Sequence, residues 1–185
     1  MYGRKAPGFS SEGGFGDALI QHLFDSILSR TRQVLSEEAG ITVRDGTVAS
    51  RAADIRRPHA VTVLATLGAP VSALVAFSFE EPLLESLVEG MTGPLIMDGD
   101  DVGPYREDCA AEAVNMALGL GTADLPSGGM AISLSPPVVL DNTQWAHRNR
   151  DAFIATMRVI TDKGVLDVSV ADARDPLDAP INSKV

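Results

Sequence analysis

The order of apolar patterns along the chain predicts an α+β fold, with two helix-plus-three-strand units forming an antiparallel sheet covered by long helices. Two observations predict it. Apolar residues recur at helical spacing near the start of the chain, and a short and a long helical stretch follow around its middle. After each helical part come three runs rich in Val, Thr and Phe, and consecutive strands joined by short turns pair antiparallel. The repetition is one of elements, since no sequence repeat is visible by identity.

From Asp17 to Glu38 the apolar residues fall at Leu19-Ile20, Leu23-Phe24, Ile27-Leu28 and Val34-Leu35, the spacing of an amphipathic helix, which Gly40 ends. Strand-like runs follow at residues 41–49, 60–67 and 71–79. The last two are joined at Leu67-Gly68-Ala69-Pro70. Thr62, Thr66, Gly68, Pro70, Ser72 and Ser78 interrupt this stretch too often for a membrane span. Pro82 suits a first helical turn, and Leu83, Leu84, Leu87, Val88 and Met91 give a short helix stopped by Gly93-Pro94. The acidic connector Asp98-Gly99-Asp100-Asp101 leads to a long helix over EDCAAEAVNMALGLG, with Pro104 in its first turn and a negative flank that complements the helix dipole. The loop TADLPSGG precedes strands at 130–140, 153–161 and 165–170. Asp162-Lys163-Gly164 marks a tight hairpin, and Val165 faces away from Leu166, Val168 and Val170. Residues 1–15 read as a flexible leader without the apolar segment of a signal peptide, 16–172 as one domain, and 173–185 as a flexible tail.

Composition narrows the function classes. With 185 residues of which 45% are hydrophobic, the chain can bury one real core. Its net charge of -10 and pI near 4.6 argue against general binding to nucleic acid or to an anionic membrane, both of which require positive charge. A protein partner or a small ligand fits better. The single cysteine, Cys109, excludes an intramolecular disulfide framework and fits a cytoplasmic location.

The most informative residues lie on the long second-half helix. At roughly 100° per residue, Asp108, Glu112, Asn115 and Gly119 fall within about 60° of one another, while Ala110, Val114, Ala117, Leu118 and Gly121 gather on the opposite side. A carboxylate and a carboxamide one turn apart, backed by small residues, suit a surface that must approach another molecule closely. Asn at mid-helix also costs propensity.

Glu112-x-x-Asn115-x-x-x-Gly119 on this helix, with Asp108 four residues before the Glu, resembles the signature of the CheC/CheX/FliY phosphatases of bacterial chemotaxis, in its CheX-like branch. The resemblance covers residues 16 to 172 by element order, although the motif itself is short. In that family a proline begins a strand some two dozen residues after the Asn; Pro136-Pro137 stand one or two positions early. CheC-like members carry a second Glu-x-x-Asn pair on the first long helix. FDSILSRTRQVL has none, so the chain resembles the single-site type.

The resemblance implies a CheC-like fold and hydrolysis of the phosphoaspartate on a CheY-like response-regulator receiver domain. Asn115 would position the attacking water, and Glu112 would dock on the receiver's active-site Lys. Asp108, Ala111 and Gly119 would line the docking surface, the last two keeping it low. It implies no cofactor bound by this chain, with Mg²⁺ coming from the receiver, and a possible homodimer pairing sheet edges. The alternatives are a receiver-binding adaptor or flagellar-switch-like module without catalysis, and a structural dimer whose polar strip is ordinary surface.

Other residues read more plainly. Cys109 has apolar neighbours and no His nearby in sequence, which suits packing rather than nucleophilic chemistry. His22, His59 and His147 lack metal-ligand spacing. Residues 98–101 lack the ligand pattern of a calcium loop, and the glycines at 119, 121, 128 and 129 follow a helix without a Gly-Lys-Ser/Thr, so neither is a cation or phosphate site. Trp145, alone in the polar DNTQWAHRNR, either touches a partner or caps the sheet.

Overall fold

Periodic burial builds the first helix. In the computed structural model, which describes residues 17–49, 59–68, 71–93, 103–124, 132–140 and 155–172, α1 spans Asp17–Ala39. Leu23, Phe24, Ile27, Val34 and Leu35 are buried along one side of it, while Asp25, Ser29, Arg32 and Ser36 face out. Gly40, at a φ of 63°, ends the helix in the left-handed region that glycine adopts without a Cβ penalty.

Strands β1 (Val43–Ala49), β2 (Val61–Leu67) and β3 (Ala73–Phe79) follow, then helices α2 (Glu81–Thr92) and α3 (Gly103–Ala123), then β4 (Val138–Leu140), β5 (Ala155–Thr161) and β6 (Val165–Asp172). This is the expected element order. All six strands form one antiparallel sheet in the order β1-β5-β6-β3-β2-β4. Exchanging the first three strands for the last three reverses that order onto itself, so the two units are related by a pseudo-twofold centred on the β3–β6 pair. Within each unit only the second and third strands are neighbours. The first strand crosses to the other unit, β1 onto β5 and β4 onto β2.

Turn chemistry explains which strands stay together. The β5–β6 hairpin closes with Thr161 N donating to Gly164 O at 2.9 Å, around Asp162-Lys163. Its tip is fixed to the connection between α1 and β1, because Asp162 Oδ1 accepts from Thr42 N at 2.9 Å. β2 and β3, the two strands expected on either side of Leu67-Gly68-Ala69-Pro70, pair antiparallel from Val61↔Phe79 to Leu67↔Ala73.

One boundary differs from expectation. Of the strand expected at 130–140, residues 132–137 form no part, and β4 holds Val138–Leu140. Pro136 and Pro137 have no N–H to donate and interrupt the ladder just before it. Ahead of them the chain still follows β2, with Ser135 N donating to Thr66 O, Gly68 N donating to Ser133 O and a bridge between Leu134 and Leu67. The proline pair therefore directly precedes β4.

The three helices cover one face of the sheet. Val63, Ala65 and Leu67, Val75, Phe77 and Phe79, Met157 and Val159, and Leu166, Val168 and Val170 join Phe24, Leu84, Leu87, Val114 and Leu118 in one core. The opposite face is buried over its middle strands and mixes polar groups with Leu74, Ala76 and Ala171. Thr62 pairs with Ser78 and Thr156 with Ser169, each hydroxyl pair at 2.9 Å, and Asp167 is 1% exposed. Leader, tail, the acidic connector, Trp145 and His147 lie outside the described residues.

Candidate functional site

α3 is a helix with one side sealed and one side open. Cys109, Ala110, Ala113, Val114, Ala117 and Leu118 are buried against α1, α2 and the sheet. Asp108, Glu112, Asn115 and Gly119 are exposed, and Ala111 is half-buried at the strip's margin. The structure thus brings the five predicted residues onto one surface, as the helical spacing requires.

Both ends of the helix are tied down. At the N-terminal end Arg106 pairs with Glu81 at the start of α2. At the C-terminal end Ser26 Oγ donates to Gly121 O at 2.8 Å. Arg30 clamps Asp124 with two hydrogen bonds, Nε to Oδ2 at 2.8 Å and Nη2 to Oδ1 at 2.9 Å. The guanidinium's hydrogen bonds hold the Asp124 carboxyl below the usual carboxylate range. These contacts lie off the exposed strip and orient it without occupying it.

The strip itself is unengaged. Among the described residues neither the Glu112 carboxylate nor the Asn115 carboxamide has a side-chain partner. A Cβ placed on Gly119 would meet nothing within 4 Å. Packing within the chain therefore does not call for glycine there, although glycine costs a helix interior about 1 kcal/mol relative to alanine. Chemically the surface offers one acceptor of charge-assisted hydrogen bonds and, beside it, one group that can accept and donate at once.

The remaining candidates fall elsewhere. Burial, together with the charge of Asp108, pushes the Cys109 thiol up, away from the thiolate form that nucleophilic chemistry requires. His22 is on the exposed side of α1, and His59 lies beside Asp167 on the polar face of the sheet, with Nε2 3.1 Å from Oδ2. Among the described residues no three His, Cys, Asp or Glu side chains gather as metal ligands, and no helix is long and apolar enough to cross a membrane. Sequence reasoning missed Tyr105, whose ring stands 46% exposed one turn before Asp108. An aromatic residue in the first turn, at nearly the angle of Glu112, was the available signal.

No family model matches the sequence, and no curated protein matches it either. Solved structures do match. CheX from Desulfovibrio desulfuricans aligns at 19% identity and a TM-score of 0.61, over 80% of this chain and 97% of that one. CheX from Vibrio vulnificus aligns at 16% identity and a TM-score of 0.64, over 80% and 97%. The CheX-CheY-BeF3-Mg²⁺ complex from Borrelia burgdorferi aligns at 14% identity and a TM-score of 0.64, over 80% of this chain and 96% of the matched one. The chain has the CheX/CheC/FliY fold, with its helices over one antiparallel sheet.

Proposed function

We propose that this protein is a phosphatase acting on the phosphoaspartate of a CheY-like receiver domain, with Asn115 positioning the attacking water and Glu112 docking on the receiver. The observation that carries the reading is the pair itself. Two unpartnered polar side chains, one turn apart, project from the open side of a clamped helix in a fold like that of CheX, which has been solved in complex with CheY.

The chemistry asks little of this chain. An acyl phosphate already carries a good leaving group; water adds to phosphorus, the aspartate carboxylate departs, and inorganic phosphate is released. The receiver supplies Mg²⁺ and a Lys that neutralise the phosphoryl oxygens, and this chain binds no cofactor of its own. What remains is alignment of the water. The Asn115 carbonyl accepts from it while the amide N–H donates to a phosphoryl oxygen, holding it in line with the bond that breaks. Glu112 pairs with the receiver's Lys, which sets orientation and keeps bulk water out. Ala111 and Gly119 let the receiver approach the helix surface, with Asp108 at its edge. A cytoplasmic location, where receivers work, belongs to the same reading. So does a homodimer, which would pair through β1 or β4, the edge strands among the described residues.

The test is the decay of phosphorylated CheY-like receivers with the parent protein and with Asn115→Ala. The side chain is exposed, so the variant should fold as the parent does and slow assisted dephosphorylation by about 10² or more, the scale expected for losing a positioning group. Full activity in the variant would remove Asn115 from the mechanism. A parent that binds the phosphorylated receiver without releasing phosphate would be an adaptor instead.

A further inference from the structure

The open side of α3 also carries apolar side chains that the proposed chemistry does not use. Tyr105 is 46% exposed and Leu120 40% exposed, two of only four large hydrophobic side chains so exposed among the described residues. They stand fifteen residues apart, about 22 Å along the helix, at the two ends of the stretch that holds Glu112 and Asn115. Half-buried Met116 lies between them on the same side. Around the helix axis Tyr105 is only about 20° from Glu112, within the strip, whereas Leu120 is about 80° from Glu112 and meets the strip only end-on, next to Gly119.

Polar groups alone make a poor anchor. An exposed carboxylate contributes mainly orientation and encounter rate, because its attraction is screened and its hydration must be given up. Affinity at protein interfaces comes instead from a few aromatic and aliphatic side chains that are desolvated on contact. A tyrosine ring is well suited, having large area, only two rotatable bonds to immobilise, and a hydroxyl for the wet margin. Neither Tyr105 nor Leu120 is buried within this chain, and both adjoin the strip that the receiver must cover.

We infer that Tyr105 and Leu120 are the apolar anchors of the receiver-binding surface, bracketing the Glu112–Asn115 pair and supplying the affinity that selects which receiver is bound. The inference rests on the receiver-phosphatase reading. It separates two roles on one helix: Glu112 and Asn115 act on the phosphoryl site, and Tyr105 and Leu120 grip the receiver.

The experiment follows dephosphorylation of CheY-like receivers from the same organism, charged with acetyl phosphate, over a range of receiver concentrations. Parent, Tyr105→Ala, Leu120→Ala and Tyr105→Phe are compared, together with binding to receivers treated with beryllofluoride and Mg²⁺. Tyr105→Ala should raise KM and Kd about tenfold and leave kcat within about twofold, as for loss of binding shared by ground and transition states. Leu120→Ala should act in the same direction, and Tyr105→Phe should keep a KM near the parent's. Unchanged KM and Kd in both alanine variants of an active parent would overturn the anchor assignment alone. A parent that neither binds nor dephosphorylates any receiver would bring down the receiver reading, and this inference with it.

Discussion

Thr31 is the one described side chain on α1 whose burial works against the fold. It is 3% exposed, its hydroxyl has no hydrogen-bond partner among the described residues, and it borders a cavity of about 10 Å³ lined by Val34, Phe77, Phe79, Ala113 and Leu166. A cavity that small is at the lower limit for a water molecule. A hydroxyl taken out of water without a partner costs about 1–3 kcal/mol, whereas a methyl group of similar size gains from the same apolar walls. Thr31→Val keeps the β-branch and a comparable helix propensity. It should raise stability by about 1 kcal/mol or more, seen as a higher urea midpoint at constant slope. A lower midpoint would mean that the hydroxyl is satisfied, with a water in the cavity as the available partner.

At the scale of the element, two helical glycines that look alike in sequence behave differently. Gly90 on α2 meets the end of α1, where an added Cβ would come within 2.7 Å of the Ala39 Cβ and closer still to its backbone, whereas Gly119 on α3 faces open space. Gly119→Ala should therefore stabilise the fold by about 0.5–1 kcal/mol through helix propensity. The same change should weaken receiver binding if that surface docks. Gly90→Ala should be destabilising, and paired thermal melts give the two signs directly. The comparison also marks what was legible beforehand. Helical periodicity placed α1, α2 and α3 and set Glu112, Asn115 and Gly119 on the open side of α3, because one face of a helix must be apolar. The contact that distinguishes Gly90 from Gly119 is tertiary, and no local pattern encodes it. Tyr105 was legible by the same periodicity, about 20° from Glu112, although how far a first-turn aromatic is covered depends on tertiary neighbours. The length of β4 could have been read, because Pro136 and Pro137 remove two donors from the ladder.

For the whole molecule, the sheet's crossing pattern and its second face were the least legible features. β1 pairs with β5 and β4 with β2 across the pseudo-twofold, pairings between strands distant in sequence that hairpin chemistry cannot predict. Leu166, Val168 and Val170 alternate with Asp167 and Ser169, a pattern usual for a sheet with one solvated face, yet Asp167 is 1% and Ser169 5% exposed. A buried carboxylate must be paired, and Arg158 on the adjacent strand pairs it through Nε to Oδ1 and Nη2 to Oδ2, both at 2.8 Å. Burial alone would raise the Asp167 carboxyl, but the hydrogen bonds from Arg158, the approach of His59 and the guanidinium charge outweigh it and hold the group below its usual value. The sign of the pH effect follows. A carboxyl depressed in the folded state contributes stability that is fully present above its unfolded value of about 3.9 and is lost as pH falls through the folded one. Asp167→Asn should lower the urea midpoint at pH 7, because Arg158 loses its counter-charge. It should also flatten the fall in stability between about pH 5 and pH 2 relative to the parent. Depressed carboxyls elsewhere, such as Asp124, remain in both proteins, so the difference between the two curves isolates Asp167. Parallel pH profiles would mean that this ion pair does not couple folding to protonation.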